Sequence, residues 1–221
     1  MTHHPIDSGV LQEILSRHLA LYRTKVPHYQ ATMLNSLYSI WDKHHGRLLD
    51  VGGGTGVIAQ AIAELFPVND VVTVDLVDRF CPSLSITARQ YDGTTLPFAN
   101  GSFQAATLNN VLHHVPVAAR VGLLREIGRV VEGPLYIKDH ESEGLRDNMR
   151  LIAMDAIGNI PFGGMLWASY LTRMGWERLA NASGYRIAAR VTQSHYRSGA
   201  YALLFPNRLE ITMRLEKAHN F

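Results

Sequence analysis

Cysteine is almost absent: Cys81 stands alone among 221 residues. No internal disulfide can form, which points to a reducing compartment. An excess of one charge is also lacking. Lys and Arg number 21 against 19 Asp and Glu, so there is no concentrated positive field of the kind that a nucleic-acid partner requires. Charged residues make up 18% and hydrophobic residues 47% of the chain, which excludes a disordered tail protein and supplies a sizeable core. Long apolar runs are missing too. Residues 151–172 carry one charged side chain, Asp155, but Asn159, Pro161 and Gly163-Gly164 interrupt them, and a membrane span needs ~20 predominantly apolar residues. Met1-Thr2-His3-His4-Pro5 leads into an amphipathic pattern without an apolar targeting segment. A cytoplasmic protein with no membrane partner is therefore expected. At ~100–200 residues per domain, the length fits one full domain with a small appendage.

What is present alternates between two periodicities. Val10, Ile14, Leu15 and Leu19 recur at helical spacing, Pro27 breaks the run, and Met33, Leu34, Leu37, Tyr38 and Trp41 resume it, which predicts two helices before about Asp42. Strands are predicted at 47–51, 71–74, 85–89, 103–109, 135–137 and 185–191, and helices at 55–66, 117–130, 145–157 and from Thr172 to near Gly184. Met149, Ile152 and Ala156 are the expected core positions of the 145–157 helix. Leu209, Ile211, Met213 and Leu215 alternate with polar residues, the pattern of a half-buried antiparallel strand. The fold expected is an α/β, Rossmann-like, doubly wound, mostly parallel sheet of seven strands closed by an antiparallel last strand. Its ligand site would lie at the carboxyl ends of the strands.

The strongest local signal is Leu48-Leu49-Asp50-Val51-Gly52-Gly53-Gly54-Thr55-Gly56. A strand, a glycine turn and a helix start occupy nine residues. The spacing G-x-G-x-G differs from the dinucleotide fingerprint G-x-G-x-x-G, and no Lys-Ser or Lys-Thr follows to complete a phosphate loop. Asp75 comes 19 residues after Gly56, where a carboxylate can accept from both ribose hydroxyls of an adenosyl ligand. Asp92 opens Tyr91-Asp92-Gly93-Thr94-Thr95-Leu96-Pro97-Phe98 and could accept from an adenine amino group. Three carboxylates without a phosphate-binding cation suit an adenosine that carries a positive tail.

These motifs, with Val111-Leu112-His113-His114-Val115 after them, resemble the class I S-adenosylmethionine-dependent methyltransferases of the small-molecule type. The likeness is specific over about 45–140 and looser over 141–221. It implies S-adenosylmethionine as cofactor. By this resemblance Gly52, Gly53 and Gly54 pack on its methionine part with Asp50 near the amino group, Asp75 and Leu76 meet the ribose side, Asp92 and Gly93 meet the adenine, and Asn109 and Asn110 lie under the sulfonium. Two features depart from the family pattern. The 17 residues from Asp75 to Asp92 are too few for the helix usual there, and Gln104 replaces the usual aspartate after Phe103.

Eleven histidines offer candidates for acid–base chemistry, but His3, His4, His219 and the pair His44-His45 fall at the termini or at the wrong end of the sheet. His113, His114 and His140 follow the fourth and fifth strands at the carboxyl edge. In phosphobase-type methyltransferases the histidine that aligns with His113 meets the acceptor beside an N-terminal tyrosine, so the resemblance implies His113 with Tyr22 or Tyr29. Asp139 or His140, in Lys138-Asp139-His140-Glu141, would face the acceptor pocket; a solvated loop start is the alternative. No second ligand pair at recognisable spacing accompanies Asp139 and His140, so no metal is expected.

Residues 1–44 are expected to form a helical cap on a cofactor-binding domain at 45–221, with a lid inserted at about 145–171. Asp155 and Asn159, four residues apart and so on one helical face, would meet a small-molecule acceptor there. A dimer contact with a second copy of the chain is the competing use of that helix. The expected activity is methyl transfer to an oxygen or nitrogen of a small molecule. A cofactor-binding module without transfer activity, acting as a regulatory or assembly partner, is the alternative from another class.

Overall fold

The computed structural model describes residues 5–159, 168–192 and 197–218, with the backbone alone for 156–159. The chain opens with α1 (Ser8–Ser16) and α2 (His28–Ser39), separated by a 3-10 turn at Ala20–Arg23. The Asp7 side chain caps α1 by accepting from the amides of Gly9 and Val10 at 2.7 and 3.3 Å, which satisfies donors that the first helical turn leaves open. β1 (His45–Val51), α3 (Val57–Leu65), β2 (Val68–Asp75), β3 (Thr87–Gln90) and β4 (Ala105–Asn109) follow. Then come α4 (Val117–Val130), β5 (Leu135–His140), α5 (Leu145–Asn159), α6 (Arg173–Ala182), β6 (Tyr185–Thr192), α7 (Gly199–Leu204) and β7 (Glu210–Lys217). Thr172 caps α6, its hydroxyl accepting from Gly175 N at 3.1 Å. As the short spacing requires, no helix forms between β2 and β3.

The seven strands make one sheet in the order β3-β2-β1-β4-β5-β7-β6. β1 to β5 pair in parallel, and β7 runs antiparallel to both β5 and β6. The order reverses between β1 and β4, and a crevice opens at their carboxyl ends at such a switch point. One expectation for the last strand fails. Leu209, Ile211, Met213 and Leu215 are buried, but so are Glu210 and Thr212. β7 is an inner strand with both faces covered, so its polar alternation marks a buried polar contact and not a solvated face.

Successive side chains of a strand point to opposite faces, and two cores result. Leu49, Val51, Leu108, Ile137 and Met213 pack with α4 and α6 on one face. Leu48, Val71, Ala105 and Tyr136 pack with α1, α2 and α3 on the other. Burying one such aliphatic side chain is worth ~1.5–3 kcal/mol, and the N-terminal helices supply much of the second core. α5 also differs from expectation. Its Met149 and Ile152 are exposed, while Asp147 and Leu151 are buried and Asp155 follows four residues later, so its inward stripe is part polar. Among the described residues, no helix is long and apolar enough to cross a membrane.

Candidate functional site

The glycine turn leaves β1 with Gly52, Gly54 and Gly56 at φ of 76°, 59° and 80°, a region that side chains with a Cβ disfavour. Gly52 N and Gly53 N donate to Val74 O at 2.7 and 3.1 Å, pinning the turn to β2. A Cβ on Gly53 would run into the hydroxyl of Thr73, whereas one on Gly54 would meet nothing within 4 Å. The turn is therefore crowded behind and open in front. Asp75, at the end of β2, accepts from Gly54 N at 2.7 Å through Oδ2 and from Val77 N at 3.1 Å through Oδ1. Beside it, Leu76 and Val77 are 47% and 55% exposed, so apolar side chains rim the opening.

Asp50 is buried and accepts from the hydroxyls of Thr73 and Thr107 at 3.0 and 2.8 Å and from Asn109 Nδ2 at 3.4 Å. Burial pushes its carboxyl upward in pKa, and those three donors oppose the shift. Asn109 Oδ1 is buried with no hydrogen-bond donor among the described residues. Asp92 closes its own turn by accepting from Thr94 N, Thr94 Oγ1 and Thr95 N at 2.8, 2.9 and 2.8 Å. Those amides hold its carboxyl below the usual range. Gly93 lies against Leu76, because a Cβ there would come within 2.9 Å of Leu76 Cδ2. The structure thus gathers Asp50, Gly52–Gly54, Asp75, Leu76, Asp92, Gly93 and Asn109 around the ends of β1, β2 and β4.

Asn110 turns away from that group. It sits at φ 56°, its Oδ1 accepts from Lys138 Nζ at 2.7 Å, and its Nδ2 donates to Tyr29 OH at 3.1 Å. Lys138 also donates to Tyr29 OH and lies 2.8 Å from Glu210 Oε2, while Arg197 pairs with the other Glu210 oxygen. Burial lowers the Lys138 pKa to about 7, Arg197 pushes the same way, and Asp139 opposes. Tyr29 joins this buried network. Tyr22 packs in the core with α1 and α2. Sequence reasoning missed Lys138, Glu210 and Arg197; the polar run Lys138-Asp139-His140-Glu141 was a signal for the first, and no motif marks the other two.

The histidines form a second group. Leu112–His114 is a 3-10 turn, and His113 Nδ1 lies 2.6 Å from Asp139 Oδ1. Asp139 also accepts from Leu112 N at 3.1 Å and His140 N at 2.7 Å. On the other side of the ring, His113 Nε2 is 3.3 Å from Asp155 Oδ2, and His114 Nε2 is 3.4 Å from the same oxygen. Tyr170 stacks on His113, with ring centroids 5.3 Å apart. Burial would lower the His113 pKa, but Asp139 and Asp155 outweigh it and raise it to about 9. His140 goes the opposite way, since burial first and then Lys138 and His113 push it well below 6.5. Among the described residues its ring nitrogens have no hydrogen-bond partner, and it packs tightly beside Arg120, Asp139 and Trp176 with no room for water between them. Asp155 lies beside both His113 and His114. The side chain of Asn159 and residues 160–167 of the expected lid lie outside the described residues.

Residues 49–133 match the family model described as a methyltransferase domain. An S-adenosylmethionine-dependent methyltransferase from Mesorhizobium loti has this fold at a TM-score of 0.63 and 17% identity, over 86% of this chain and 100% of that one. Magnesium protoporphyrin IX methyltransferase from Synechocystis, solved with bound SAH, matches at 0.59 and 13% identity over 90% and 87%. A chain from the complex of the Haloferax volcanii Trm112 methyltransferase activator with a methyltransferase matches at 0.64 and 13% identity over 95% and 94%. At these identities the structural likeness shows the fold alone. No curated protein matches the sequence.

Proposed function

We propose that this chain, whose residues 49–133 match a methyltransferase-domain model, is a class I S-adenosylmethionine-dependent methyltransferase that transfers a methyl group from S-adenosylmethionine to an oxygen or nitrogen of a small molecule. The observation that carries this reading is the open space before Gly54, bounded by Asp75 and the exposed Leu76. The donor set fits the cofactor. Asn109 Oδ1 is a buried acceptor in need of a donor, which an ammonium group supplies, and Asp75 can exchange its bond from Gly54 N for ribose hydroxyls. Gly52, Gly53 and Asp50 would line the methionine side, Leu76 the ribose side, and Asp92 and Gly93 the adenine side. When bound, the cofactor supplies an electrophilic methyl group on a sulfonium.

Most of the acceleration then comes from alignment, for which effective molarities reach ~10⁵–10⁸ M. The chain's own part is to hold the acceptor. Asp155, with His113 and His114, presents the polar group that meets it, and Asp139 fixes the His113 ring from behind. Tyr29 from α2 meets Asn110 just after β4, where the two close the acceptor side. His140 is buried behind Asp139, to which its amide donates, and acts through Asp139 as a positioning residue.

Titration calorimetry tests both halves. S-adenosylmethionine and its demethylated product should bind, and Asp75→Ala should weaken both at least ~10-fold by removing charge-assisted hydrogen bonds. Unchanged affinity in that variant removes the cofactor assignment. Asp155→Ala should lower turnover by ~10²–10⁴ with cofactor affinity intact, and equal turnover would move the acceptor elsewhere.

A further inference from the structure

His113 Nε2 and Asp155 Oδ2 are both buried and lie 3.3 Å apart as an ion pair too oblique for a well-aligned hydrogen bond, and the Tyr170 hydroxyl leans on the same carboxylate. Such proximity without alignment arises when two ligating atoms aim at a common point between them. His114 Nε2, 3.4 Å from the same Asp155 oxygen, completes a trio whose ligand atoms all lie within 4.8 Å of one another.

We infer that His113, His114 and Asp155 bind a first-row divalent metal ion, with zinc the best fit. Bonds of ~2.0–2.1 Å to nitrogen and oxygen in a tetrahedron put the ligand atoms about 3.3–3.4 Å apart, which two of the three edges already show. The remaining edge closes by turning the His114 ring. Behind the trio, Asp139 accepts at 2.6 Å from His113 Nδ1, which keeps one proton on Nδ1, so that a metal displaces only the proton on Nε2. A carboxylate behind a ligating imidazole is a recurrent support of this kind. Asp139 is fixed in turn by the amides of Leu112 and His140. Two imidazoles and one carboxylate select against magnesium and calcium, which prefer all-oxygen sets. The charge also closes, since Asp139 and Asp155 together match a divalent cation.

A second trio, His113, Asp139 and His140, is excluded because Asp139 Oδ1 is already occupied by His113 Nδ1 and the His140 amide. The sequence hid the chosen site. His113 and His114 are adjacent, and Asp155 arrives 41 residues after His114 on α5, a spacing that no metal motif uses. Three protein ligands leave a coordination position for water or for an acceptor heteroatom, as in catalytic zinc sites and not in closed structural ones. That chemical use rests on the methyl-transfer reading; the metal site itself does not.

Metal-stripped full-length protein titrated with cobalt(II) should bind one equivalent with visible ligand-field bands, and zinc should displace it. His114→Ala and Asp155→Ala should each weaken cobalt binding at least ~100-fold, and Asp139→Asn by ~10–100-fold. Absence of stoichiometric cobalt binding by the wild-type chain overturns the inference whether or not any variant folds. So does binding that His114→Ala and Asp155→Ala leave unchanged. Calorimetry with S-adenosylmethionine on the same stripped protein separates the two readings: cofactor binding without cobalt binding removes the metal site alone, and the reverse removes the methyl-transfer reading alone.

Discussion

Glu210 serves two cations at once, with Lys138 at 2.8 Å on one oxygen and Arg197 on the other, and all three side chains are buried. An ion pair of this kind adds little net stability when made but costs ~3–5 kcal/mol when one partner is removed, because a buried charge is left uncompensated. Glu210→Ala should lose about that much in urea denaturation, and adding Lys138→Met to it should recover part of the loss. A loss below ~1 kcal/mol would mean that water reaches the pair. At this scale the sequence told an uneven story. Asp50 and Asp75 were legible because each ends a β-branched or aliphatic run beside the glycine turn, where only a few roles exist for a carboxylate. Glu210 and Thr212 look like a wet face because alternation reports polarity and not burial, and Glu210 is buried against Lys138 and Arg197, which no motif announces. Asp155 was legible for the opposite reason, as a lone charge in a stretch too apolar to solvate it.

Among the elements, the turn after β1 depends most strictly on residue type. Gly53 and Gly54 are neighbours with opposite surroundings, one against the Thr73 hydroxyl and one facing open space. Gly53→Ala should therefore distort the turn and lower the melting temperature together with cofactor affinity. Gly54→Ala keeps its clearance but must hold φ near 59°, a strain of ~1–2 kcal/mol; its melting temperature should drop less, and cofactor affinity should carry the larger effect. Equal behaviour of the two variants in a thermal melt and a calorimetric titration would contradict this division. Helix and strand positions were largely visible from periodicity, with the 117–130 helix matching α4 at both ends. β5 was not seen beyond Ile137, because Lys138, Asp139 and His140 look like a loop until their buried partners on α2, β7 and the 112–114 turn are known.

For the whole molecule, α1 and α2 are built into the sheet's second core and do not merely sit on it. Leu11, Leu15, Leu34 and Leu37 share a cluster with Leu48, Val71 and Tyr136, and the Trp41 indole stacks on Tyr136 at 4.3 Å between ring centroids. A 45–221 fragment should consequently lose cooperative unfolding and expose apolar surface to a hydrophobic dye. A fragment with a sharp thermal transition would instead make residues 1–44 a separable cap.

The place of β7 has a temporal meaning as well. Among the described residues β6 pairs with β7 and with no other strand, while β7 lies beside β5. β6 cannot join the sheet before β7, and β7 is the last strand of the described chain to be synthesised, so both strands complete the sheet late. The glycine turn, Asp75 and Asn109 belong to strands made earlier in synthesis, and domains tend to fold in that order. Lys138 meets Glu210 only when this last hairpin docks. A chain truncated before Glu210 therefore retains the residues of the half that would receive the cofactor, while the half that would receive the acceptor lacks its counter-charge.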